Sequence, residues 1–157
     1  MASMFTADIR EIASRSVLCW LATTDEKGQA NVSPKEVWAI ADDEHIVVAN
    51  IASPCSARNI AVNPLVCLSF IDIFVQKGFK VIGTATEWKP CSPGYAGWAA
   101  PLNARVGDRF PIHSVFVIRA VEIHPIIAPS YILFPSETTE ASQTRAALQT
   151  YGVRRAN

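Results

Sequence analysis

The chain has 157 residues, enough for one domain with a sizeable core. Half of its residues are hydrophobic, 18% are charged, and 14 Lys plus Arg balance 14 Asp plus Glu. That composition excludes a disordered chain, and the missing basic excess argues against nucleic acid or an anionic membrane surface as partner.

No run approaches the ~20 apolar residues of a membrane helix. The opening "MASMFTADIREIASRS" has no long apolar segment either, so a cytoplasmic location is expected. The cysteines, Cys19, Cys55, Cys67 and Cys91, form no C-x-x-C pair and are expected to be reduced. His45, His113 and His124 are scattered, so no metal site is expected.

In chain order, "FTADIREIASRS" reads as a short helix, with Thr6 as cap, Asp8 at its positive end, and Ile9 and Ile12 on one apolar edge. Ser16 to Thr24 reads as a buried strand, and Gly28 serves the turn that follows. "ANVSP" and "KEVWAIA" read as extended segments meeting near Pro34. Proline has no N–H to give a ladder, so Pro34 is expected at a strand edge or a bulge. "HIVVANI" is the next strand. "SPCSARNIAVNP" then breaks the pattern with a helix of one to two turns, capped by Ser53 or Ser56 and stopped at Asn63-Pro64.

"LVCLSFIDIFV" and "GFKVIGTATEWK" are two further strands, and "HSVFVIRAVEIHPIIA" is a long last one. Between them, "PCSPGYAGWAAPLNARVGDRFP" reads as a loop with a broken helix. The tail beyond residue 128 is polar with one helical stretch, either docked or frayed. There is no repeat and no linker. Six or more closely spaced strands with one short helix between the fourth and fifth predict a single mainly β domain, a small six- to seven-stranded barrel.

No nucleophile elbow, P-loop, G-x-G-x-x-G or H-E-x-x-H is present, and no catalytic residue is assigned. Such a chain either binds something or takes its chemistry from a cofactor. Two segments suit an anion. In "NVSPK", a disturbed strand would free backbone groups beside Lys35. In "SPCSARNI", a serine-capped helix start carries Arg58 and Asn59 in its first turn, where N–H groups, dipole and guanidinium favour phosphate. The bland alternatives are a solvent-facing lysine and an ordinary capped surface helix.

The run from "VLCWLATTDEKGQANVSPKEVWAIADD" through "ARNIAVNPLVCLSFID" to "GFKVIGTATEW" resembles the FMN-binding split barrels of the pyridoxamine 5'-phosphate oxidase-like superfamily, over about residues 5–128. The resemblance implies a homodimer with FMN at the subunit interface and a small-molecule substrate. By position it places Asn31, Val32, Ser33 and Lys35 along the isoalloxazine and ribityl chain, with Lys35 as a cation near the flavin N1 and O2 edge. Ala49 and Asn50 would lie near the ring or the phosphate. Ser53, Ser56, Arg58 and Asn59 would hold the phosphate, and Gln76 to Phe79, with Lys77 and Phe79, would approach from the partner. Trp98 is a candidate to cover the flavin. Family members often carry an Arg-Lys pair where this chain has Cys55-Ser56, and the tail matches no pyridoxamine-phosphate motif, so that substrate is not expected. FAD, F420 and haem are the alternative cofactors in this superfamily. The expected activity is flavin-dependent oxidoreduction by hydride transfer at N5. The alternatives are a non-catalytic flavin carrier or sensor, or a dimeric scaffold without flavin.

Overall fold

The computed structural model describes residues 3–107 and 110–155. Its elements run α1 (Ala7–Arg15), β1 (Cys19–Thr24), β2 (Ala30–Lys35), β3 (Trp38–Ile40), β4 (His45–Asn50), α2 (Pro54–Val62), β5 (Leu65–Asp72), β6 (Lys77–Trp88), α3 (Tyr95–Val106), β7 (Ser114–Ile127), α4 (Ser130–Leu133) and α5 (Glu140–Tyr151). The strands form one antiparallel seven-stranded sheet in the order β2-β1-β5-β6-β7-β4-β3.

Connectivity forces this sheet to curl. Its two edge strands, β2 and β3, are joined by Glu36 and Val37 alone. Three residues of chain span at most about 11 Å, whereas six inter-strand spacings in a flat sheet cover about 29 Å. The sheet therefore bends into a half-barrel whose edges approach each other. The mainly β barrel expected from sequence is what forms, left split rather than hydrogen-bonded shut.

Side chains alternate across the strands. Cys19, Leu21 and Thr23 of β1 point inward and are buried, while Trp20 is exposed. Their partners Leu68 and Phe70 on β5 are also fully buried. With Trp38, Ile46, Val48, Val81, Phe116 and Ile118 they fill the interior, and Phe5, Ile9 and Ala13 of the α1 region pack against it. Each such aliphatic or aromatic side chain contributes roughly 1.5–3 kcal/mol by leaving water. A second cluster joins Val47, Ala49, Val115 and Val117 to Ala99 and Leu102 of α3.

Three local expectations are refined. Pro34 lies on the edge strand β2, but its register with β1 is unbroken, Trp20 opposite Pro34 and Cys19 opposite Lys35. An edge strand asks no second ladder bond of proline, so no bulge is needed there. The irregularity occurs instead between Ile82 and Gly83, opposite β7. The segment read as a broken helix is continuous over Tyr95–Val106 despite Pro101, and Asp108 and Arg109 lie outside the described residues. Arg105 donates to the Trp38 carbonyl, which fastens α3 to the β3 edge. Finally, the tail is docked. Tyr131 donates its hydroxyl proton to the Val75 carbonyl at 2.8 Å, Lys77 pairs with Glu140 at 3.0 Å, and Tyr151 sits edge-on to Phe74. Helix α5 begins with a capping box between Thr139 and Ser142.

Candidate functional site

The curl brings the end of β2, the end of β4 and the start of α2 to one corner. Alternation along β2 turns Asn31, Ser33 and Lys35 inward and Val32 and Pro34 outward. Lys35 is 5% exposed. Its ammonium lies 5.9 Å from the centre of the Phe116 ring, on a strand four places away in the sheet, so it reaches across the interior. The reading of Lys35 as a solvent-facing residue is excluded by this burial.

The Lys35 ammonium donates to the Ser53 hydroxyl. Ser53 is the residue before α2, and its side chain does not cap the helix. Pro54 opens α2 without an N–H, so the first-turn donors of Cys55 and Ser56 have no side-chain cap from Ser53. The Ser53 N–H donates to Asn50 Oδ1 at 3.1 Å. Asn50 Nδ2 in turn donates to Ser114 Oγ at 2.9 Å and more weakly to Glu87 Oε1 at 3.4 Å, and the Ser114 hydroxyl donates to Glu87 at 2.5 Å. Beside this chain, Ser33 and Ser56 share a hydrogen bond between hydroxyls at 3.1 Å.

Lys35 forms no ion pair among the described residues. Burial pushes its ammonium below the usual lysine range, with Cys19 acting the other way. Burial likewise drives the Cys19 thiol upward, against the pull of Lys35. A buried cation with only hydroxyl and aromatic neighbours is costly. A bound anion is the natural compensation, and the uncapped helix start adds the favourable end of a dipole.

The other expected residues fall in three places. Arg58 is exposed in the second turn of α2, one turn later than the sequence reading placed it because the helix starts at Pro54, and it has no partner among the described residues, so its guanidinium is available to a ligand. Asn31 and Asn59 both donate to Thr23 Oγ1, at 3.2 and 3.0 Å, and Asn59 is buried. They brace α2 against β1 and β2. Ala49 is buried in β4 and donates its N–H to the Val37 carbonyl at 2.9 Å. Lys77 and Phe79 stand apart from this corner. Lys77 is ten residues before Glu87 along β6, roughly 33 Å of extended strand, and its ammonium also lies 4.6 Å from the Tyr131 ring centre. Phe79 packs against Phe70. Within one chain neither meets Lys35. Trp98 is packed between His45 and Trp88, with ring centres 5.1 and 6.3 Å away.

Thr23, Glu87 and Ser114 belong to the corner and carry no local sequence signal. They enter through pairings between distant strands.

The chain matches the family described as pyridoxamine 5'-phosphate oxidase over residues 5–126, and belongs to it. Among solved structures it is similar to HupZ of Group A Streptococcus, at 22% identity and a TM-score of 0.66, covering 76% of this chain and 92% of that one. It is also similar to an FMN-binding protein of Syntrophomonas wolfei (17%, TM-score 0.62, 76% and 84% covered). A third is HutZ, the heme storage protein of Vibrio cholerae (21%, TM-score 0.63, 81% and 95% covered). At these identities the likeness establishes the fold. No curated protein matches the sequence at a significant level. Among the described residues, no helix is long and apolar enough to cross a membrane, and no group of three or more potential metal ligands occurs.

Proposed function

We propose that the protein binds FMN and is a flavin-dependent oxidoreductase acting on a small molecule. The observation that carries this reading is the buried, carboxylate-free Lys35 beneath an uncapped helix start. A phosphate monoester supplies the missing counter-charge there. Lys35 supports it from below, Ser33 and Ser56 offer hydroxyl donors, and Arg58 closes on it from the exposed side of α2. The residues present therefore fit a phosphorylated cofactor, with Arg58 taking the place of the cations absent at Cys55-Ser56.

FMN, when bound, supplies hydride acceptance and donation at N5. The chain's own part is to bind and orient it. Inward-facing β2 carries Asn31, Ser33 and Lys35 along the cofactor, with the β2 backbone around Val32 offering donors and acceptors. Ala49 and Asn50 close the β4 side. Glu87 is the carboxylic acid of the corner, and it is engaged with Ser114 and Asn50 behind the proposed cofactor face, so the proton of the reaction comes from water or substrate.

The outer sheet face supports a homodimer. Trp20, Val32, Leu65 and Ile82 project from neighbouring strands on the same side and are 44%, 56%, 64% and 37% exposed. A contiguous apolar sheet face of this kind suits a second subunit. In such a dimer the partner's Lys77–Phe79 segment would complete the flavin site. Ile82→Glu is expected to convert the dimer to a monomer in sedimentation equilibrium. A wild-type mass of one 17.1 kDa chain would contradict the dimer.

Purified protein titrated with FMN should quench flavin fluorescence saturably and hold a flavin absorption spectrum. Arg58→Ala should weaken that binding roughly ten-fold, the worth of one charge-assisted contact. Unchanged affinity would remove Arg58 from the site. Reduction of bound FMN by NAD(P)H with transfer to an acceptor separates an oxidoreductase from a carrier or sensor.

A further inference from the structure

We propose that Glu87 is a positioning residue for this anion site, acting on Lys35 and on the start of α2 through Ser114, Asn50 and Ser53. The inference rests on the flavin-site reading but concerns Glu87 and Ser114, to which that reading gives no ligand contact.

The geometry is a directed relay. Glu87 Oε1 accepts the Ser114 proton at 2.5 Å. That leaves a Ser114 lone pair for the Asn50 amide nitrogen at 2.9 Å, and Glu87 accepts weakly from the same nitrogen. The Asn50 side chain is thereby fixed with its nitrogen toward Glu87 and Ser114 and its oxygen toward the Ser53 N–H at 3.1 Å. The reverse orientation would set the amide NH2 against the Ser53 N–H, donor against donor. Ser53 then holds the Lys35 ammonium with its hydroxyl. Asn50 and Ser114 are buried, so each unmade bond is costly.

Glu87 is otherwise unemployed: it forms no ion pair among the described residues. Its carboxylate stands at one end of the relay and the ammonium at the other, so among the described residues the one acid linked to the buried lysine is joined to it through neutral groups. The groups facing Lys35 are Cys19 from β1, the Phe116 ring from β7 and the Ser53 hydroxyl before α2. None of them can fix its position as a carboxylate would, which leaves that task to the relay.

The test uses Glu87→Met, Ser114→Ala, the double variant and Glu87→Gln, in the full chain. Without any cofactor, the backbone amide resonance of Ser53 and the side-chain resonances of Lys35 are followed by NMR. Glu87→Met and Ser114→Ala should shift both sets, the double variant no further than either alone, and Glu87→Gln, which keeps the acceptor oxygen, should restore the Ser53 resonance. In FMN titrations the first two variants should each bind roughly ten-fold more weakly, again without additivity. Unmoved Ser53 and Lys35 resonances in a folded Ser114→Ala protein would overturn the proposal. A wild type that does not bind FMN would overturn the functional reading instead, with the NMR comparison still deciding the role of Glu87.

Discussion

Replacing Lys35 by methionine is expected to weaken FMN binding about 100-fold, the loss of a strong charge-assisted contact in a buried setting, and at the same time to stabilise the apoprotein. The two effects share one cause. Lys35 is 5% exposed, and its ammonium has a single hydroxyl partner and faces Phe116 and Cys19. Methionine has a similar length and no charge to desolvate, so the apoprotein should gain on the order of 1–2 kcal/mol at neutral pH. A stabilised but non-binding variant is the signature of a residue kept for function at a cost to folding. The pH dependence gives an independent check. In the unfolded chain Lys35 titrates near the ordinary 10.5, while burial lowers its value in the folded protein. Between those two values the unfolded state holds more protons, so wild-type stability relative to Lys35→Met should rise as pH climbs through that window. The advantage of the variant should therefore be fully present below the lowered folded value and fade toward pH 10.5. Denaturant unfolding of both proteins across that range measures it. A variant that is less stable than wild type at neutral pH would show that Lys35 contributes to folding and would remove its functional rationale.

Gly83→Ala is expected to destabilise the fold by about 3 kcal/mol or more, the scale of backbone-level overpacking in a core. A Cβ on Gly83 would stand 2.2 Å from the Arg119 carbonyl oxygen, and the atom it meets is backbone, so a strand has to move. Gly83 also sits at the irregularity in the β6–β7 ladder, where the register skips from Glu122 to Ala120. The extra residue, Val121, is on β7; a bulge bends the strand that carries it, which here helps the sheet to curl and shifts β7 against the later part of β6, including Glu87. Gly78→Ala should be comparably damaging, since its Cβ would lie 2.1 Å from the Phe70 carbonyl oxygen. Gly97, by contrast, has open space around its Cβ position and lies inside α3. Its replacement by alanine should be neutral or stabilising by about 1 kcal/mol through helix propensity. Urea unfolding of the three variants orders them. A Gly83→Ala protein as stable as Gly97→Ala would contradict the close approach of β6 and β7.

Much of the fold was legible because strands, turns and helix boundaries leave local marks. Asn63-Pro64 ended α2, Gly28 marked the β1–β2 turn, and apolar runs marked β1 and β5. The register was not legible. Nothing near Pro34 says that it faces Trp20 in an unbroken ladder, and the irregularity at Gly83 depends on β7, more than thirty residues later. Lys35 and Ser53 were both legible as candidates, one through a proline-interrupted strand and the other through a helix start. Their direct contact was not, since it follows from the curl of the whole sheet. Glu87 and Ser114 left no local trace because their role is written in a pairing between β6, β7 and β4. Asn59 shows the converse: a plausible phosphate ligand by position, it spends its amide on Thr23.

The central claim is that the corner formed by Lys35, Ser53, Ser56 and Arg58 binds the phosphate of a flavin. The most direct measurement compares FMN with riboflavin, which has the same ring and ribityl chain but no phosphate, by equilibrium fluorescence titration of the wild-type protein. FMN binding at least about 100-fold tighter than riboflavin, with the difference collapsing in Lys35→Met, is the expected result. Equal affinities for the two flavins would contradict it, and so would a phosphate preference that survives intact in Lys35→Met.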